Sequence, residues 1–464
     1  MEVLQRTANR GSLSTGGYEI DNSLKNEPDN GERFDTGDKF TNYSSVRKFT
    51  VSAWLKRTEL TVQSLIWFNS NTNTSVQLEF NAADKLSFLL QDNVGNGVES
   101  YAKTSALFRD TSAWYHVILA VDTTQGTAAN RTKIYVNGVN QTLEQGNGSY
   151  DTFPAQNYDC PLQTRHYLLG YDGGNNGFRG YAAEYYFLDG ITASPTDFGE
   201  YDDDSGIWKP IAYTGGFGNE GYYLNFEDAS ALGKDVSSNN QGNFSHYGGS
   251  AADQATDTPT NNFATLNPLW VWTYGMGISD GATKVANTVA AWGGAKGSIG
   301  VTNGKWYWEH SSFSGNDTFF GIQNSSGTAT QAYQQAYTVG LFANATSNIY
   351  FYDPSARTES FSFTFATSDV WGIALDLDGN TISFYRNGSI VNSAVALDGI
   401  VGNGELFPFV SHYGSGLNSR INLGGYTGST ISSAASDANG YGTFEYAPPS
   451  GFYSICTKNL SELG

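Results

Sequence analysis

Short apolar segments separated by turn residues run along nearly the whole chain, and this pattern limits the fold more than any other feature. In FTVSAWLKR (Phe49–Arg57) apolar and polar residues alternate, as in a strand with one face buried. No window of about 12 or more residues has a good helical apolar period. Gly (54), Tyr (29) and Phe (28) are abundant, which favours strands and tight turns. The pattern predicts an all-β chain.

Similar segments recur in both halves of the chain. In the first half we predict strands at VQLEF (Val76–Phe80), LSFLL (Leu86–Leu90), AWYHVILAVD (Ala113–Asp122), KIYVNG (Lys133–Gly138), HYLLG (His166–Gly170) and FRGYAAEYYFLDG (Phe178–Gly190). In the second half we predict them at GKWYWEH (Gly304–His310), TVGLF (Thr338–Phe342), DVWGIALDLDG (Asp369–Gly379), TISFYRNG (Thr381–Gly388) and LFPFVSHYG (Leu406–Gly414). The spacing indicates antiparallel sandwiches or jelly rolls.

The length of 464 residues suits two domains. Residues 1–40 have few apolar residues, and we interpret them as an extended N-terminal arm. The two strand-rich blocks predict domains at 41–228 and 265–456. Residues 229–264 are rich in Gly, Ser, Asn, Asp and Thr, and this composition indicates a connector. Within it, we expect only NFSHYG and a turn at Pro259 to pack against a domain. Residues 457–464 are left as a C-terminal tail.

The net charge of −20 argues against two classes of partner. Binding to a nucleic-acid backbone requires a basic face, and adhesion to anionic lipid requires basic residues as well. The first residues, MEVLQRTANRGSLSTGG, contain no apolar run of signal-peptide length, and no stretch approaches the roughly 18 apolar residues of a membrane span. Cys160 and Cys456 have no metal-site or redox spacing. We therefore expect a soluble protein made in a cytoplasm, without nucleic-acid partners or membrane insertion.

The two blocks share an order of features. In the first, Trp114 opens a long apolar strand and a second strand ends at Asn137-Gly138. In the second, Trp371 opens an apolar strand and the next ends at Asn387-Gly388. Asn-Gly is a strong hairpin signal. The order suggests two versions of one sandwich.

The motifs resemble two known families. On FTVSAWLKR, AWYHVILAVDTT, RTKIYVNG and GYAAEYYFLDG, residues 41–228 resemble the laminin-G-like, or concanavalin-A-like, jelly roll. On GKWYWE, VGLF, DVWGIALDLDGNTISFYRNG, LFPFVS and PPSGFY, residues 265–456 resemble a SPRY domain. Both resemblances imply a bent two-sheet sandwich. We therefore predict two concanavalin-A-like/SPRY-type antiparallel β-sandwiches in tandem.

The stretch that joins the two blocks indicates a more specific class of protein. Residues 187–228 (FLDGITASPTDFGEYDDDSGIWKPIAYTGGFGNEGYYLNFED) and 257–268 (DTPTNNFATLNP) resemble a pairing of these modules found in structural proteins of marine tailed bacteriophages. This resemblance implies a virion component such as a tail fibre, a spike or a capsid-surface protein.

Catalytic machinery is not apparent in the sequence. A Glu-x-Asp-x-x-Glu motif, as in jelly-roll glucanases, occurs at Glu27–Glu32, but Pro-Asp-Asn-Gly within it is a turn and cannot align carboxylates along one strand face. We interpret the motif as a solvated loop. No histidine has metal-pair or zinc-helix spacing, and His116 lies within an apolar strand, where we expect a core or cross-strand residue. No nucleophile elbow or phosphate-binding loop occurs. We predict that the protein is not an enzyme.

Candidate ligand residues come from the turns and from the families. Laminin-G-like domains often bind one Ca²⁺ through loop carboxylates, and Asp172, Asp202 and Asp204 are the candidates, although plain acidic turns explain them as well. No other cofactor is expected. Carbohydrate sites stack an aromatic ring on a sugar face. The loop aromatics we single out for such contacts are Tyr171, Trp270, Trp272, Tyr350 and Tyr352.

The leading hypothesis is a non-enzymatic virion surface protein that contacts other virion proteins and copies of itself, with a homotrimer as one arrangement, and that binds a host-surface glycan or protein. Many copies per particle would sum weak contacts by avidity. The alternatives are a purely architectural decoration of capsid or tail, a secreted or cellular lectin or adaptor, and a glycan depolymerase.

Overall fold

The protein is described from a computed structural model. It describes residues 17–71, 74–92, 97–148, 150–172, 176–272, 275–315, 317–327, 337–343, 348–352, 357–360, 365–391, 394–397, 399–402 and 404–464. The chain divides into two compact units, Met1–Thr260 and Asn261–Gly464. The regular secondary structure of each unit is mostly β-strand, as predicted.

Two antiparallel sheets form the first unit; strands are numbered in chain order. The first sheet has the order β10 (Val139–Asn140), β9 (Thr132–Val136), β8 (Tyr115–Asp122), β3 (Lys48–Arg57), β13 (Gly180–Asp189), β1 (Ser23–Asn26) and β18 (Gln254–Ala255), with β16 (Tyr222–Leu224) also pairing with β13. The second has the order β11 (Leu143–Gln145), β7 (Gly97–Thr104), β6 (Leu86–Asp92), β5 (Thr74–Phe80), β4 (Gln63–Asn71), β12 (His166–Leu168), β2 (Arg33–Asp35) and β17 (Ser245–Tyr247). A small pair, β14 (Gly199–Tyr201) and β15 (Trp208–Pro210), follows β13.

Alternation along the strands produces the core between these sheets. In β3, Val51 and Leu55 are buried in the main apolar cluster, while Trp54 lies on the other face and stacks on His116. The second sheet contributes Phe68 and Phe88 to the same cluster. Both sheets therefore meet through their apolar faces, as in a β-sandwich.

The prediction of an N-terminal arm is wrong for residues 17–40. β1 pairs with β13 in one sheet, and β2 pairs with β12 in the other. Leu24, Phe34 and Phe40 are each at most 1% exposed and belong to the main core. Few apolar residues suffice here because each short strand adds its backbone hydrogen bonds to an existing sheet edge. Residues 1–16 lie outside the described residues.

The predicted connector is also mostly part of the first unit. β17, within the NFSHYG stretch that we expected to pack, pairs with β2, and β18 pairs with β1. This segment also contains two short 3-10 helices, Ala229–Ala231 before β17 and Ala251–Asp253 between β17 and β18. The unit boundary therefore falls at Thr260/Asn261 and not at 228.

The second unit is again built from two antiparallel sheets. One has the order β19 (Leu266–Trp272), β22 (Trp292–Gly297), β32 (Leu406–Tyr413), β24 (Thr318–Asn324), β25 (Thr338–Ala343), β26 (Asn348–Tyr352) and β27 (Arg357–Ser360). The other has the order β20 (Met276–Ser279), β21 (Lys284–Asn287), β33 (Leu417–Asn422), β23 (Lys305–Ser311), β28 (Trp371–Asp376), β29 (Thr381–Arg386) and β30 (Ser389–Ile390), with β31 (Val395–Ala396) also pairing with β29.

Tryptophans dominate the core of the second unit. Trp306, Trp308 and Trp371 are fully buried between the sheets. The segment left as a C-terminal tail forms a helix, α1 (Thr457–Leu463), and its Leu460 packs against this core. The tail prediction is therefore wrong, because an apolar face lets even a short helix complete a core.

Candidate functional site

The predicted ligand-binding aromatics are not a single set of loop residues. Tyr171 lies in a loop, and its ring stacks on Trp67 with centroids 4.5 Å apart. The other four lie on strands, so their prediction as loop residues is wrong: Trp270 and Trp272 are in β19, and Tyr350 and Tyr352 are in β26. The side chains of Trp272, Tyr350 and Tyr352 lie outside the described part of the chain.

Trp270 covers a buried lysine that sequence reasoning missed. Lys296 in β22 is 0% exposed, and its ammonium lies 4.8 Å from the centre of the Trp270 ring. The ammonium donates to the carbonyl oxygens of Asn324 at 2.5 Å and Gly327 at 2.8 Å. Burial lowers the Lys296 pKa to about 7. Trp270 therefore packs over a buried lysine, with one ring face already in use.

The three candidate calcium ligands are held within two separate turns. Asp172 Oδ1 lies 2.9 Å from Arg33 Nη2 and forms an ion pair with it. Asp202 accepts the backbone N–H of Ser205 at 2.9 Å, and this hydrogen bond leads the causes that lower its pKa to about 2. The N–H of Asp204, an exposed residue, also points at Asp202, at 3.2 Å. Internal partners thus account for Asp172 and Asp202, and calcium binding stays a prediction.

A cleft of about 280 Å³ opens in the first unit, in the segment predicted to be a connector. It is lined by Ala229, Ser230, Ala231, Leu232, Gly233, Asn243, Phe244, His246, Gly249, Ser250 and Ala251. Small side chains predominate, so much of the wall is backbone. His246 is the titratable side chain among the lining residues.

Behind His246 lies a cluster of charged side chains. Single ligand atoms of Glu32, His246 and Asp253 all lie within 4.8 Å of one another. Glu32 is 2% exposed and Asp253 7% exposed. The Lys25 ammonium lies 2.7 Å from Asp253 Oδ1 and 3.8 Å from Glu32 Oε2. Two buried carboxylates thus share one ammonium and one imidazole.

Glu32 belongs to the carboxylate motif discounted in the sequence. Pro28–Asn30 does form a 3-10 turn, as the sequence predicts, so the motif does not line one strand face. The solvated-loop interpretation is wrong for Glu32, because the turn folds this side chain inward, where it accepts the backbone N–H of Glu27 at 2.7 Å. The buried strand pairings of β1 and β2, which the sequence did not reveal, place it there.

The four other histidines are structural residues. His116 is 1% exposed, and this confirms its expected place in the core. Its Nδ1 accepts from Trp208 Nε1 at 3.0 Å, and its Nε2 lies 2.8 Å from Ser52 Oγ. Burial lowers the pKa values of all four to about 3, so they are neutral at pH 7; they are His116, His166, His310 and His412.

Another buried carboxylate, Glu184, lies at a β-bulge in β13. Glu184 has φ of +51°, and the register shifts between Ala183 and Tyr186. Its carboxylate accepts hydroxyl hydrogen bonds from Tyr18 at 2.8 Å, Tyr186 at 2.8 Å and Tyr223 at 2.7 Å. Burial raises the Glu184 pKa. Because its partners are three side chains of the same unit, Glu184 acts as a structural tie.

Comparisons with known proteins agree with this architecture. Residues 30–189 match the concanavalin A-like lectin/glucanases superfamily, in its laminin-G form, and residues 293–426 match the SPRY domain. The chain thus contains a concanavalin-A-like domain and a SPRY domain. No curated protein sequence matches the chain.

Solved structures similar to the chain include SPRY domains. One is the crystal structure of the SPRY domain of human HERC1, with 22% identity and a TM-score of 0.29, covering 34% of this chain and 96% of that chain. Another is the crystal structure of the TRIM65 PSpry domain, with 14% identity and a TM-score of 0.27, covering 34% of this chain and 92% of that chain. None of the helices in the described residues has the length and apolar character needed to span a bilayer.

Proposed function

We propose that the protein is a non-enzymatic binding protein on the surface of a bacteriophage particle. The observation that supports the binding role is that the first unit contains a match to the concanavalin A-like lectin/glucanases superfamily and the second a match to the SPRY domain. The virion location rests on the resemblance of residues 187–228 and 257–268 to the module pairing of phage structural proteins. Its partners in this proposal are other virion proteins, further copies of the chain and a host-surface glycan or protein.

The buried carboxylates of the first domain favour ligand binding over glycoside hydrolysis. Three of the carboxylates that the fold buries in it, Glu32, Glu184 and Asp253, are occupied by hydrogen bonds or ion pairs within the protein. Retaining or inverting hydrolysis of a glycoside instead needs a pair of carboxyl groups that flank the bound sugar. A glycan depolymerase is therefore the less favoured alternative.

Binding is tested with the purified full chain on host cells and on a glycan array. We expect saturable binding, together with no release of reducing sugar. A substitution of Tyr171, the loop aromatic with a described side chain, by Ala separates sugar stacking from protein contacts. Reducing sugar released from a bound glycan would contradict the non-enzymatic role, and failure to bind any host surface would favour an architectural decoration.

A further inference from the structure

We propose that Glu32, His246 and Asp253 form a site for one divalent transition-metal ion of the Zn²⁺ type, and that the Lys25 ammonium occupies the cation position when the ion is absent. The proposal is independent of the virion role. It rests on the position of these side chains and on the adjoining cleft.

One oxygen of each carboxylate is anchored by a backbone N–H, and the other faces His246 or Lys25. Glu32 Oε2 accepts the N–H of Glu27 at 2.7 Å, and Asp253 Oδ2 accepts the N–H of Ser250 at 2.6 Å. The other oxygens, Glu32 Oε1 and Asp253 Oδ1, face His246 and Lys25 respectively. Hydrogen bonds of this kind to the outer oxygen are what orient carboxylate ligands in metal sites.

The imidazole is fixed as firmly as the carboxylates. The His246 ring stacks on Phe34 with centroids 4.5 Å apart and planes inclined by 15°. The chain also passes so close to the ring that a Cβ at Gly249 would lie 2.0 Å from Nε2. Glycine at 249 therefore permits a contact that any side chain would block.

One ligand–ligand distance and the charge suit a small divalent cation, and the other two ligand–ligand distances are within 4.8 Å. His246 Nε2 and Glu32 Oε1 are 3.0 Å apart, and two ligand atoms bound to one zinc at about 2.0–2.2 Å are separated by about 3–3.5 Å. One imidazole nitrogen and two carboxylate oxygens are ligands that Zn²⁺ accepts. The two carboxylates carry two negative charges, and Lys25 balances one of them. A divalent ion in place of the ammonium balances both.

The cleft supplies the route and the remaining coordination position. His246 and Ser250 belong both to its lining and to the cluster or its anchors. An ion entering from the cleft meets His246 first, and water in the cleft can complete a tetrahedral site. Lys25, in β1, must then turn its side chain away from Asp253.

The test measures Co²⁺ and Zn²⁺ binding to the full chain after chelator treatment, by the visible absorption of bound Co²⁺ and by titration calorimetry. We expect one ion per chain with nitrogen and oxygen ligands. Lys25→Met removes the competing ammonium and should tighten binding at least about tenfold, whereas His246→Ala should weaken it at least about tenfold. Asp204→Asn, in an exposed turn away from the cluster, is the matched control and should leave the affinity unchanged.

Two results would overturn the proposal: no ion bound by either the natural protein or the Lys25→Met variant, or equal affinity in the natural protein and His246→Ala. Circular dichroism establishes which variants are folded. Should Lys25→Met fail to fold, the comparison of the natural protein with His246→Ala decides, since His246 is partly exposed and its loss opens no sealed core.

Discussion

Asn137 and Asn387 occupy equivalent positions in the two sandwiches. Each has positive φ, +50° and +48°, at the hairpin that follows a central strand. The Asn137 side chain accepts the N–H of His116 at 2.8 Å, and its own N–H donates to the His116 carbonyl at 2.9 Å. Asn387 makes the same two bonds to Val370, at 2.9 and 2.8 Å. Asparagine suits the left-handed conformation and supplies the acceptor.

These bonds predict matched losses of stability. Asn137→Ala and Asn387→Ala should each lower the free energy of unfolding of their own unit by about 1–3 kcal/mol, because a backbone N–H loses its acceptor and alanine disfavours positive φ. Hydrogen exchange followed by mass spectrometry reports the two units separately. Asn140→Ala, at an exposed strand position, is the control and should change stability by less than about 0.5 kcal/mol. A loss in the wrong unit, or none, would refute the equivalence.

The repeat predicted from the sequence is therefore correct for the asparagines, since Asn137 and Asn387 are equivalent. It is not correct for the tryptophans, since Trp114 and Trp371 are not equivalent. Val117 pairs with Val136 directly before Asn137, and Trp371 pairs with Arg386 directly before Asn387. Trp371 therefore corresponds to Val117, and Trp114 lies three residues earlier. Sequence order alone does not give strand register, which the hairpin turn sets.

At the scale of elements, long apolar strands could be predicted and short ones could not. β3, β8 and β13 carry enough alternating apolar residues to be recognised. β1 and β2 are four and three residues long, and β22 is WGGAKG, rich in glycine. Such strands form because neighbouring strands are already in place. The Glu32–His246–Asp253 cluster depends on these short strands, so its residues could not be grouped from the sequence.

A buried ion pair ties the end of the first unit to its central strand. The Lys56 ammonium in β3 lies 2.6 Å from Asp257 Oδ2, and both side chains are at most 1% exposed. Asp257 also accepts from Trp114 Nε1 at 3.1 Å. Removal of one partner from a buried pair leaves an uncompensated charge, which costs about 3–5 kcal/mol. The tie explains why the supposed connector stays with the first unit.

We accordingly predict that Asp257→Ala lowers the free energy of unfolding of the first unit by about 3–5 kcal/mol and exposes residues 229–260 to proteases. Asp159→Ala breaks the exposed pair with Arg47 and should cost less than about 1 kcal/mol. Urea unfolding and limited proteolysis measure the two effects. Equal costs for the two variants would contradict the account.

For the whole molecule, the boundary at Thr260/Asn261 predicts which fragments fold. Residues 17–260 should fold as a unit, and so should residues 261–464, since each contains its own core. Residues 41–228, the domain expected from the sequence, lack β1, β2, β17 and β18 and should not give a cooperative transition. Circular dichroism and thermal unfolding compare the fragments. A cooperative 41–228 fragment as stable as 17–260 would contradict the corrected boundary.

Acid should weaken both units through their buried histidines. The folded pKa values of about 3 lie below the ordinary histidine pKa of about 6.5, so the unfolded chain binds more protons between these pH values. The stabilisation is fully present above about pH 6.5 and is lost as the pH falls toward 3, by up to about 1.4 kcal/mol per pH unit for each histidine. Urea unfolding from pH 7 to 5 measures the slope, and His310→Phe should make it shallower. A flat profile would contradict the prediction.

The central claim, a binding protein on the surface of a phage particle, is tested most directly by electron microscopy of intact particles from the source, labelled with an antibody against residues 261–464. The account predicts label on the particle surface, and label on projecting fibres or the tail tip would support host recognition. Label spread evenly over the capsid would favour decoration. No label on any particle would contradict the virion proposal and favour a secreted or cellular lectin.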